Sequence, residues 1–65
     1  MQRFTVTQES VTASVTASFT VRADGRAIGV ADLHASGHID WSFLPDCTLP
    51  SARTIARLAR RIRRA

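Results

Sequence analysis

Residues 11–30 read VTASVTASFTVRADGRAIGV, and the first twelve of them alternate without interruption. Val11, Ala13, Val15, Ala17, Phe19 and Val21 fall on one side, and Thr12, Ser14, Thr16, Ser18, Thr20 and Arg22 on the other. A period of two sends successive side chains to opposite faces of an extended chain, so this run reads as a strand with one dry face. Asp24-Gly25 follows. That dipeptide is favoured in type I′ hairpins because both residues tolerate a positive φ. A two-residue loop there pairs Ala23 with Arg26, Val21 with Ile28 and Phe19 with Val30, and both apolar pairs land on the same face. Twelve extended residues would reach about 40 Å. That is long for so short a chain, so a bend is expected near the middle, with each half pairing a different neighbour.

Working outward, Phe4 and Val6 are in the opposite phase to Val11. A tight turn at Glu9-Ser10 restores the phase by pairing Val6 with Ala13 and Phe4 with Val15. Downstream, the apolar phase slips between Val30 and Leu33, which predicts a bulge near Ala31-Asp32. A three-residue loop, Ala35-Ser36-Gly37, would place Gly37 at a positive φ and pair Leu33 with Ile39. Ile39, Trp41 and Phe43 continue the dry face, and Pro45 ends the strand because it cannot donate to a ladder. Ser51 is placed to cap a helix, with Thr48 followed by Pro50 as the other candidate start. The fold class expected is α+β: a four-stranded antiparallel β-meander with one C-terminal amphipathic helix packed on its apolar face. Its strands should lie at about 3–8, 11–23, 26–34 and 38–44 and its helix at about 51–64. The predicted core is Phe4, Val15, Phe19, Val21, Ile28, Val30, Ile39, Trp41 and Phe43, facing Ile55, Leu58 and Ile62.

The chain has 65 residues and a net charge of +4, which allows one domain near the lower size limit for a self-sufficient core. A small core and two open sheet edges predict a homodimer. All nine basic residues are arginine. With abundant alanine, this composition suits a GC-rich coding sequence, so the position of the charge says more than its guanidinium chemistry. Cys47 is the single cysteine, which rules out an internal disulfide and a cysteine-based zinc site. No apolar run reaches the roughly 18 residues needed to span a bilayer. The N-terminus lacks the order of charged, apolar and small residues of a signal peptide. A cytoplasmic protein that does not contact membranes is expected.

Ser51 to Ala65 carries six arginines and no acidic residue. At about 100° per residue, Leu58, Ala59 and Ile62 lie within roughly 60° of Ile55, with Ala52 at that edge. Arg53, Arg57, Arg60, Arg61 and Arg64 lie on the opposite side, and Arg63 at the border. Like charges at i,i+3 and i,i+4 repel, and tolerance of that repulsion points to a polyanionic partner. A second candidate is the near-palindrome Asp32-Leu33-His34-Ala35-Ser36-Gly37-His38-Ile39-Asp40. The three-residue loop sets His34 opposite His38 and Asp32 opposite Asp40 on the outer face of the sheet. Two imidazoles and two carboxylates suit a divalent ion in kind, or acid–base work. Their spacing matches no established metal motif and no pocket surrounds them, so a polar hairpin tip without a metal is expected. The Thr/Ser side of the long strand reads as an ordinary exposed β face.

Phe19-Thr20-Val21 before Asp24-Gly25-Arg26 and Gly29, with Ser51-Ala52-Arg53 on a later alanine-containing helix, resembles the second half of a double-stranded-RNA-binding domain. The first helix of that family is missing and a strand stands in its place. The paired basic residues directly after the serine are also missing, so membership is not assigned. The function expected is that of a small non-enzymatic nucleic-acid-binding protein without a cofactor. Arg53, Arg57, Arg60, Arg61 and Arg64 would make its phosphate contacts. The helix has neither Asn nor Gln for reading base edges, so sequence specificity should be low. The alternative is a protein-binding module or accessory inhibitor that docks the same arginines, or a sheet edge, on an acidic partner protein.

Overall fold

A computed structural model of the chain describes residues 2–10 and 17–64. The Asp24-Gly25 turn forms as the dipeptide demands, with φ of 53° at Asp24 and 83° at Gly25. It joins β2 (Ala17–Ala23) to β3 (Arg26–Leu33). With β1 (Phe4–Ser10) and β4 (Ile39–Phe43), these make one antiparallel sheet in the order β1-β2-β3-β4. The helix α1 (Ala52–Arg64) follows, so the fold is the expected α+β meander with a C-terminal helix.

The β3–β4 hairpin matches its expected register. Leu33 pairs with Ile39 and Asp32 with Asp40. Gly37 takes a φ of 91°, and its N–H donates to the His34 carbonyl at 2.9 Å. The register elsewhere departs from expectation in two places. First, β1 does not turn back at Glu9-Ser10. It continues to Ser10 and pairs with β2, Val6 opposite Val21 and Phe4 opposite Ala23. Glu9 and Ser10 lack the positive-φ preference that a two-residue hairpin turn requires. The expected partners Ala13 and Val15, and the first half of the long alternating run, lie outside the described residues. The bend expected near the middle of that run also falls at the limit of the described residues; residues 17–23 pair with β1 on one side and β3 on the other.

Second, the bulge sits earlier than Ala31-Asp32. Val21 pairs with Gly29 while Arg22 pairs with Ala27, so Ile28 is the extra residue. The freed Ile28 carbonyl accepts the Leu44 N–H at 2.8 Å. The slip also changes which side chains of β3 face inward. Ala31 is fully buried, whereas Val30, expected in the core, is 41% exposed on the outer face.

The core is one-sided. Ala17, Phe19, Val21, Ala23, Ile28, Ala31 and Ile39 from the sheet meet Leu58 and Ile62 from the helix. Phe4, Val6, Leu33, Trp41, Phe43 and Cys47 are partly buried against that cluster. Trp41 and Phe43, two residues apart on the edge strand β4, stack at 6.2 Å. On α1 the buried line runs through Leu58 and Ile62, with Ile55 and Ala59 half-buried and Ala52 exposed. The centre of the face is therefore rotated from Ile55 toward the later turns. Ser51 caps the helix: its Oγ accepts the Thr54 N–H at 3.2 Å.

Candidate nucleic-acid interface

Burial of Leu58 and Ile62 turns the opposite side of α1 to solvent. Arg53, Arg57, Arg60, Arg61 and Arg64 are all exposed there. A shallow groove on this surface is lined by Arg57, Arg60, Arg61 and Arg64 alone. Among the described residues the one arginine–carboxylate contact is Arg22 with Glu9, at 3.7 Å across the sheet. None of the helix arginines meets any of the chain's five acidic side chains. The first turn of α1 has no acidic residue, and its last turn carries Arg61, Arg63 and Arg64. Those late charges oppose the negative end of the helix dipole. The earlier ones have no such compensation.

Two of the arginines also hold the helix to the sheet. Arg57 donates from an Nη2 to the Phe4 carbonyl at 3.2 Å. Arg63 donates from Nε and Nη2 to the Gly37 carbonyl at 3.1 and 3.0 Å. Phe4 opposes Ala23 beside the Asp24-Gly25 turn, and Gly37 lies in the β3–β4 turn, so these ties reach opposite ends of the sheet. A guanidinium bonded to a carbonyl keeps its full charge, so Arg57 still belongs to the cationic face.

Arg3 also belongs to this surface, and helical periodicity had no means of finding it. A second groove is lined by Gln2, Arg3, Phe4, Thr5, Arg57 and Arg61. It runs from the helix onto the start of β1. The backbone at Arg3 is pinned to the turn beside it: its N–H donates to Asp24 Oδ1 at 2.8 Å, and its carbonyl accepts the Asp24 N–H at 2.7 Å.

On the outer face, the hairpin brings three of its four titratable groups together. His34 Nε2 lies 2.8 Å from Asp40 Oδ2, and His38 Nε2 lies 2.8 Å from Asp40 Oδ1. A carboxylate only accepts, so each Nε2 carries the proton and donates. The two rings stack at 6.0 Å. Asp32 is apart from them and accepts the Ser18 hydroxyl at 2.8 Å. Among the described residues no group of three or more His, Cys, Asp or Glu side chains is arranged to hold a metal ion. Both Nε2 atoms are occupied by the same carboxylate.

The hydrogen bond from His34, then that from His38, holds the Asp40 carboxyl below its ordinary value of 3.8. A depressed folded-state pKa gives stability that is present above the unfolded value and is lost as pH falls through the folded one. In an NMR carboxyl titration, Asp40 is expected to have a midpoint below 3.8, and His34→Ala to move it back toward 3.8. A wild-type midpoint at or above 3.8 would show that the cluster does not form in solution.

Cys47 is half-buried, and its thiol donates to the Leu44 carbonyl at 2.9 Å. It behaves as a small core-edge residue. No described helix is long and apolar enough to cross a membrane. No protein-family model matches the chain, and no curated protein or solved structure matches it either.

Proposed function

We propose that the protein is a non-enzymatic nucleic-acid-binding protein that grips phosphates with Arg53, Arg57, Arg60, Arg61 and Arg64. The observation that supports this reading is the charge of α1, which no carboxylate side chain of the described residues compensates. These five guanidiniums share one exposed face, and no carboxylate lines the groove among them. Each like pair at i,i+3 or i,i+4 costs about 0.2–0.5 kcal/mol in an isolated helix. A polyanion offsets that repulsion, and the release of its condensed counterions to solution favours binding.

The test is a salt titration of binding. On duplex DNA, the log–log slope is expected near −0.9 per phosphate neutralised, so roughly −4 for this surface. Arg60→Ala combined with Arg64→Ala should reduce the slope by about two. Among the described residues neither side chain has a hydrogen bond within the protein, so the fold should survive the change. An unchanged slope in the double variant, or no salt-sensitive binding to DNA or RNA, would sink this reading. An acidic protein partner for the same arginines would then take its place. We further propose that the edge strands pair with a second copy, β4 along its length and β1 beyond the Phe4 carbonyl that Arg57 holds, as the open strand order allows. Sedimentation at high micromolar concentration should give a dimer mass, and a monomer mass would count against pairing.

A further inference from the structure

We infer that the ligand of the arginine face is a double-stranded nucleic acid, held through its phosphates by two joined lines of cations, the second of which includes Arg3. This inference rests on the nucleic-acid reading above and says which form of the polymer fits.

The first line is α1 itself. From Arg53 to Arg64 it runs about 16 Å at 1.5 Å per residue. Over that length a duplex presents about ten phosphate charges and one strand about half as many. The second line leaves the helix at Arg57 and Arg61, which border both grooves, and reaches Arg3 at the start of β1. The bond from Arg57 to the Phe4 carbonyl fixes the spacing between the lines. The pairing of Arg3 with the backbone and side chain of Asp24 fixes the far end. No carboxylate is among the residues that line either groove, and the one beside Arg3, Asp24, is engaged by the Arg3 backbone N–H at 2.8 Å. Two lines of charge suit a polymer with two backbones.

The aromatic residues argue against a single strand. Binding of unpaired bases relies on successive rings on which bases stack. The chain has three Phe, one Trp and no Tyr. Phe19 is buried, and Trp41 and Phe43 are partly buried against the core on β4, the edge strand opposite β1. Phe4 alone borders a cationic groove, and it too is packed against the core. One half-buried ring makes no stacking row. What remains is contact with the phosphate backbone, where a duplex offers the higher charge density and releases about 0.9 counterions per phosphate against about 0.7 for a single strand.

The experiment measures fluorescence anisotropy of the full chain with four labelled probes: a 20-base-pair DNA duplex, its RNA counterpart, oligo-dT and oligo-U. Salt is varied from about 50 to 200 mM. At least one duplex is expected to bind about tenfold or more tighter than either single strand, and the two duplex arms tell DNA from RNA. Arg3→Ala should lower the duplex slope by about one, and Arg3→Lys should keep it. Thermal melting of both variants should match that of the wild type. Single strands bound as tightly as duplexes, with a steep salt slope, would overturn the duplex inference and leave the nucleic-acid reading standing. An unchanged slope in a folded Arg3→Ala variant would overturn the second line. Absence of salt-sensitive binding to all four probes would overturn both readings.

Discussion

Replacing Gly29 with alanine is expected to lower stability by about 3 kcal/mol or more, although it adds a single methyl group. Gly29 lies in a row that crosses the sheet: Val6, Val21, Gly29 and Phe43 are successive partners on β1 to β4. The Phe43 ring lies over it. A Cβ at Gly29 would fall 2.8 Å from Phe43 Cδ1 and 3.0 Å from Phe43 Cα, and would run into the Ser42 carbonyl oxygen. The ring could turn aside, but the oxygen and the Cα belong to the backbone of β4. The strand would have to move off β3, taking Trp41 and Phe43 from the core. A domain of this size has about 3–10 kcal/mol of stability in total, so the variant should be near or past its unfolding limit at room temperature. Gly25→Ala is the comparison. Nothing lies within 4 Å of a Cβ there, but a φ of 83° strains it, at about 1–2 kcal/mol. Urea denaturation followed by circular dichroism ranks the two. If Gly29→Ala melts no lower than Gly25→Ala, the close approach of β4 to β3 is not present in solution.

The Gly29 contact also explains which parts of the fold were legible in the sequence. The β2–β3 and β3–β4 turns were, because Asp24-Gly25 and Gly37 carry their backbone requirement locally. The position of the bulge was not. With Ile28 out of the ladder, Gly29 comes under Phe43 of β4 and Val30 turns to solvent, an arrangement that involves a contact with another strand. An isolated glycine inside a strand pattern is a signal for a bulge or a close backbone approach, and it was the available clue. The register of β1 was hidden for a different reason. Residues 11–22 repeat every two positions, so Val6 keeps the same face whether it meets Ala13 or Val21. Only turn chemistry breaks that degeneracy, and Glu9-Ser10 supplies none.

The cationic face was legible to the extent that it is a helix property. A period of 3.6 residues separates Arg53, Arg57, Arg60, Arg61 and Arg64 from Leu58 and Ile62. Arg3 is far from α1 in sequence and joins it only because β1 runs along the sheet edge next to the helix. The ties from Arg57 and Arg63 likewise need the helix to be docked. Their carbonyl acceptors sit in Phe4 and Gly37, and a carbonyl carries no trace in the side-chain pattern.

Leu58→Ala is expected to cost about 2–5 kcal/mol. Leu58 is fully buried, as is Ile62 one turn later, and they are the two buried residues of α1. Apart from them, the half-buried Ile55 and Ala59 and the exposed ties from Arg57 and Arg63 hold it to the sheet. Thirteen residues are marginal for a helix standing alone, and like charges along its outer face lower its stability further. Docking on the sheet must therefore supply most of the stabilisation, and Leu58 fills the middle of the contact. Truncation leaves a cavity under a helix whose outer side repels itself. The melting temperature should fall by about 4–8 °C for each kcal/mol. Arg60→Ala with Arg64→Ala should shift stability by no more than about 0.5 kcal/mol, because those side chains are exposed and their loss relieves repulsion. The two sets of variants should separate cleanly. At a temperature where Leu58→Ala is still folded, it should bind nucleic acid with the wild-type salt slope, since it removes no cation. The arginine double variant should melt like the wild type and lose slope. If Leu58→Ala costs less than about 1 kcal/mol, the helix is not docked as described, and the separation of α1 into a packed face and a cationic face fails with it.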